Sequence, residues 1–152
     1  MAAELNTGGW VLICDGEKAL ILENKGDAQD LNLRTRRKEE QDNPKDIDQS
    51  ANRPGHNGES AQHGGHTYDD TDWHQLARER FAADISDLLY ERGHKGKFDE
   101  LVIVAAPDIL GELRDGLHKE VTDKVIAEVP KTLTNHPMDE IEKIVVKELK
   151  AA

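Results

Sequence analysis

The sequence predicts an α/β domain built on one mixed sheet, with the element order β-β-β-(long loop)-α-β-α-β-α. Three observations predict it. Short apolar runs near the N-terminus are separated by turn residues, and a polar stretch with almost nothing to bury follows. Beyond that stretch the hydrophobic period lengthens to three and four residues, interrupted by one wholly apolar run. The 152 residues are the size of one ordinary domain, so 1–152 is read as a single unit.

Trp10 to Cys14, "WVLIC", is a continuous run of strand formers, short enough for a buried strand. Asp15-Gly16 supplies a turn, and Ala19 to Glu23, "ALILE", resumes as a second strand to make a hairpin. Asn24 to Asp30 is turn-like, after which Leu31, Leu33 and Thr35 alternate with Asn32, Arg34 and Arg36, as a third strand with one wet face would. From Arg36 to Asp72 the apolar residues are Ile47, Tyr68 and a few alanines. Such a stretch cannot offset the roughly 1–2 kcal/mol per residue that backbone ordering costs. Residues 37–72 are therefore expected to form a long disordered polar loop, and 1–8 a flexible N-terminus.

Past the loop, Trp73, Leu76, Ala77, Phe81, Ile85, Leu88 and Leu89 fall on one helical stripe, with Thr71 or Asp72 placed to cap it and Gly93 placed to end it. Leu101 to Ala106 carries no polar side chain, as expected of a central strand covered on both faces. Pro107 suits the first turn of a helix striped by Ile109, Leu110, Leu113 and Leu117, in which Gly111 and Gly116 cost about 1 kcal/mol each. Lys124 to Val129 reads as an edge strand. Pro137 opens a last helix with Met138, Ile141, Val145 and Leu149 in line, Asp139 and Glu140 near its positive end and Lys147 and Lys150 near its negative end. A meander followed by alternating helices and strands implies one mixed sheet with helices packed on it, an order compatible with a ribonuclease H-like layout.

Charge constrains the partners. A net charge of -11 repels a polyanion at long range unless the basic groups are segregated, so free DNA is not expected as a ligand. The notable basic cluster is Arg34, Arg36, Arg37 and Lys38, followed at once by Glu39 and Glu40; it reads as a solvated strand end, with an RNA contact as the alternative. The single cysteine, Cys14, lies in an apolar run and reads as a small buried hydrophobe. The N-terminus has no basic region or long apolar stretch, and nothing approaches the ~20 apolar residues that span a bilayer, so a cytoplasmic protein without a membrane segment is expected.

The most unusual local motif is "HGGHTYDD", His63 to Asp70. His63 and His66 are spaced to share a zinc or nickel ion, with His56 and His74 within reach, but structural zinc sites usually recruit cysteine and the one cysteine is in a strand. The reading adopted is a polar loop whose histidines bind nothing, with no metal and no cofactor. Asp15, Asp84, Asp87 and Asp108 lie where a ribonuclease H-like nuclease would cluster carboxylates around magnesium. Asp15 is equally a turn residue, and Asp84 and Asp87 flank an apolar stripe where solvated carboxylates are ordinary, so no catalytic residue is assigned. Phosphate-cradling glycine loops and nucleophile elbows are absent.

"WVLICDGEKALILEN", "ANRPGHNGESAQHGGH", "RFAADISDLL", "FDELVIVAAPDILGELRDGL" and "VIAEVPKTLTNHPMDEIEKIV", in this order, resemble the bacterial host attachment protein family, described as required for attachment to host cells. The resemblance runs from Trp10 to about Leu149. That family is in turn similar to the middle domain of archaeal and eukaryotic peptide-release factors, which has a ribonuclease H-like order and carries a Gly-Gly-Gln loop ahead of its first long helix. The resemblance implies a ribosome or protein partner, and it makes Arg53, Gly55, His56, Gly64, Gly65 and His66 the loop residues to consider for binding. His66 stands where that chemistry would need Gln, His56 stands where the family usually has a basic residue, and Pro107-Asp108 stands where it usually has Pro-Arg, so release activity is not implied. The function expected is that of a non-enzymatic interaction protein involved in host attachment, through a ribosome- or translation-associated role. A metal-dependent hydrolase or nuclease on a ribonuclease H-like fold is the alternative.

Overall fold

In the computed structural model, which describes residues 3–40 and 67–151, β1 (Trp10–Cys14), β2 (Lys18–Asn24), β3 (Leu33–Glu40), β4 (Leu101–Ala105) and β5 (Val125–Val129) form one open sheet in the order β3-β2-β1-β4-β5. β2 pairs antiparallel with both β1 and β3, while β1–β4 and β4–β5 are parallel. Only β2 therefore runs against the other four, which is the α/β arrangement expected of a ribonuclease H-like, release-factor-like sheet. Parallel neighbours need a crossover, and helices supply it. The long helix α1 (Thr67–His94) precedes β4; α2 (Pro107–Gly116) and the short α3 (Lys119–Thr122) link β4 to β5; and α4 (Met138–Ala151) ends the described chain.

β1 and β4 are buried along their whole length because helices cover both faces. On one face Trp10, Leu12, Cys14, Ile21, Leu101 and Ile103 pack against Phe81, Ile85 and Leu89 of α1 and Ile109 and Leu113 of α2. On the other, Val11, Ile13, Leu22, Val102 and Val104 pack against Ile141, Val145 and Leu149 of α4. Each such side chain contributes about 1.5–3 kcal/mol by leaving water. The continuous apolar runs and the stripe of α4 are thus where the sequence places them.

The N-terminus departs from expectation. Residues 3–8 are packed, not flexible: Leu5 is fully buried in the second core, the Ala3 amide donates to the Leu149 carbonyl at 2.9 Å, and Asn6 donates to both carboxylate oxygens of Glu100 at 2.8 and 3.0 Å. The organiser is buried Asn24. Its Nδ2 donates to the carbonyls of Leu5 (2.9 Å) and Asp27 (3.2 Å), and its Oδ1 accepts from the amides of Gly26 and Asn32 (3.0 Å each). One side chain so satisfies the backbone of the N-terminal segment and of the β2–β3 turn, which buried polar groups require.

The expected loop, 37–72, is too long at both ends. Residues 37–40 continue β3, paired to β2 as far as Lys18–Glu40, because an edge strand gains ladder hydrogen bonds while its charged side chains stay wet. Residues 67–72 belong to α1, since extending an existing helix costs far less than nucleating one. The remainder of the loop lies outside the described residues. Trp73 and Leu76, expected on the buried stripe, are 36% and 48% exposed. The helix stop also moves. Gly93 lies inside α1, where a Cβ would sit 3.2 Å from the Phe98 ring, and the chain turns at Gly96, whose φ of +75° suits only glycine comfortably.

Candidate functional site

The expected binding residues Arg53, Gly55, His56, Gly64, Gly65 and His66, and the metal candidate His63, lie outside the described residues. What the fold fixes is their exit point: α1 begins at Thr67, immediately after His66. His74 is exposed on α1. Among the described residues, no group of three or more His, Cys, Asp or Glu side chains could hold a metal ion.

The four aspartates considered for nuclease chemistry are used separately. Asp15 Oδ1 accepts from the amides of Glu17 (2.7 Å) and Lys18 (2.8 Å), closing the β1–β2 turn, and Oδ2 accepts from the Thr134 hydroxyl at 2.5 Å. Asp108 Oδ1 accepts from the Ile109 amide at 2.8 Å, and Oδ2 lies 3.6 Å from Arg78 Nη1. Asp84 and Asp87 are exposed on α1. Cys14 is buried as expected, and burial, reinforced by the charge of Asp15, pushes its thiol up to about 12, so it stays a neutral packing group.

A different constellation emerges at the β3 edge. A groove of about 340 Å³ is lined by Trp10 of β1, Ile21 of β2, Arg36 and Arg37 of β3, and Leu88 and Arg92 of α1. Strict alternation would send Arg36 and Arg37 to opposite faces. The ladder slips at this point: Ile21 pairs with Arg37 and Leu22 with Thr35, leaving Arg36 as an extra residue. Such a bulge re-aims side chains, and both arginines meet the α1 side.

Each guanidinium is held differently. Arg36 lies over the Trp10 ring, 5.3 Å from its centroid, and donates to Glu23 Oε1 at 2.7 Å. The Trp10 ring in turn stacks on Phe98 with centroids 4.6 Å apart. Arg37 pairs with Glu39. Arg92 has no side-chain hydrogen bond or ion pair among the described residues. Glu23, whose side chain is 15% exposed, also holds Lys25 at 3.0 Å. Burial pushes its carboxyl up, but the hydrogen bonds and charges of Lys25 and Arg36 outweigh this and hold it below the usual glutamate range.

Arg36 and Arg37 of the "RTRRK" run, residues 34–38, thus line a basic groove, whereas the run's sequence read chiefly as a solvated strand end. Arg92 and Trp10 escaped notice as site residues because one sits in the last turn of a helix and the other looks like core. Nothing local signals that they share a wall.

A model of the family described as bacterial archaeo-eukaryotic release factor family 12 matches residues 9–145. No curated protein matches the chain.

Proposed function

The chain belongs to bacterial archaeo-eukaryotic release factor family 12, and from that premise we propose that it is a non-enzymatic, translation-associated binding protein whose partner is the ribosome. The observation that carries this reading is the family match over residues 9–145, which takes in the whole sheet and most of α4. The resemblance noted in the sequence supports it. Gly64-Gly65-His66 leads directly into the long helix α1, as the Gly-Gly-Gln loop leads into the first long helix of the release-factor middle domain. A histidine in place of the glutamine favours binding over peptide release.

The basic groove gives the body a charged contact surface despite the net charge of -11. Among the described residues no helix is long and apolar enough to cross a membrane. On this reading the protein acts in the cytoplasm, and any effect on attachment to host cells follows indirectly from altered translation. Co-sedimentation of the purified chain with bacterial ribosomes at low salt tests the proposal. The protein is expected in the ribosomal pellet, and its complete retention in the supernatant overturns the reading.

A further inference from the structure

We infer that the groove between β3 and α1 is a phosphodiester site that grips the backbone of a single-stranded RNA segment; the inference rests on the ribosome-binding reading and names the chemistry of its contact. The first argument is donor balance. Among the described residues, the charged side chains lining the groove are those of Arg36, Arg37 and Arg92, which carry donors and no acceptor; Glu23 answers one donor of Arg36 and Glu39 one of Arg37, and Arg92 has no side-chain partner among the described residues. Trp10 is 2% exposed and its buried Nε1 has no hydrogen-bond partner among the described residues, so Trp10 gives the groove an aromatic wall under Arg36 and not a donor that a ligand can reach. A ligand suited to these walls brings acceptors and negative charge.

The second argument is preorganisation. Arginine presents a planar fork that matches a phosphate bidentately, which lysine cannot do. Arg36 is braced between the Trp10 ring and Glu23, so it is already aimed, and Arg92 faces it from α1 with no competing side-chain partner among the described residues. The third is location. The groove opens at β3, an outer strand of the sheet, so a linear polyanion can pass along it rather than having to enter a closed pocket. With a net charge of -11 the rest of the molecule repels RNA, so binding depends on this local set of contacts rather than on a diffuse field.

The test measures fluorescence anisotropy of a short labelled oligouridylate over a series of salt concentrations, beside ribosome co-sedimentation. It compares the wild-type chain, the double variant Arg37→Gln/Arg92→Gln, and the charge-matched control Lys147→Gln/Lys150→Gln on α4. The single variant Arg92→Gln is included because Arg92 has no side-chain partner to lose among the described residues, so the described fold is not at risk. Three arginines can neutralise at most about three phosphates, so the wild-type slope of log K against log salt is expected near about -2. The groove variant should bind at least about tenfold more weakly with a shallower slope, Arg92→Gln should fall between, and the α4 control should match the wild type.

Equal weakening by the groove and α4 variants overturns the inference, as does failure of the wild type to bind the oligonucleotide. Arginine-dependent binding of polyglutamate that displaces the RNA also overturns it, in favour of an acidic protein partner. The two readings fail separately. Ribosome co-sedimentation that persists undiminished in the groove variant sinks this site and spares the ribosome. Arginine-dependent RNA binding without co-sedimentation supports the site and sinks the ribosome.

Discussion

Arg36 and Arg37 are neighbours in sequence, yet both line the same side of the sheet, because Arg36 occupies the extra position of a bulge opposite Ile21 and Leu22. In a regular strand one of them would point toward the face that α4 covers. The bulge therefore converts an ordinary charged edge into a two-pronged basic contact that Arg92 completes from the helix.

The anchor of that arrangement is Glu23, and it makes stability depend on pH. Its folded-state pKa is depressed below the unfolded value of 4.5, so the stability it contributes is present above about pH 4.5 and is lost as pH falls through the lower folded value. Glu23→Gln should lower stability near neutral pH by at most about 1 kcal/mol, since its partners are partly exposed. The difference from wild type should shrink as the solution is acidified. Denaturant midpoints across an acid series check this, and a gap that widens toward low pH contradicts it.

Asn24 carries more. Asn24→Ala leaves the carbonyl of Leu5 and the amides of Gly26 and Asn32 without their partner, and a loss of about 2–4 kcal/mol is expected. Hydrogen exchange should accelerate at the Gly26 and Asn32 amides before it does in β1. Unchanged exchange at those two amides would show that the side chain is not what orders the turn.

Gly111 offers a change in the other direction. It lies inside α2, and a Cβ built there meets nothing within 4 Å. Gly111→Ala should therefore raise stability by about 0.5–1 kcal/mol through helix propensity alone, seen as a higher Tm. Gly93→Ala is expected to give no such gain, because its Cβ would press on Phe98 at 3.2 Å.

Along α1 the apolar stripe divides into a buried and an exposed part. Leu89 is fully buried and Leu76 is 48% exposed, although both sit at stripe positions. Leu89→Ala should cost about 2–5 kcal/mol, whereas Leu76→Ala should stay within about 0.5 kcal/mol. Equal losses in urea denaturation would mean that the N-terminal part of α1 is covered in solution.

Some of the molecule was legible from its residues alone. "WVLIC" and "LVIVA" carry no polar side chain, and only a strand sheathed on both faces suits such runs, so β1 and β4 could be recognised as the centre of the sheet. Ile141, Val145 and Leu149 repeat with the pitch of a helix, and α4 buries those three. The resemblance carried the release-factor likeness, which the family match bears out.

Other features were decided only when distant segments met. Periodicity reports which face a residue would occupy in a regular element, but not where a ladder slips or which stretch of a helix has something to pack against. The placing of Arg36 beside Arg37 depended on β2, whose Ile21 pairs with Arg37, 16 residues later in the chain, and its completion by Arg92 depended on α1 packing beside that edge. The order of residues 3–8 depended on Asn24 and on Leu149 at the far end of α4. Local sequence sets the elements because backbone and side-chain periods are local; the groove is tertiary because its charges are brought together by register and packing between strands and a helix that are far apart in sequence.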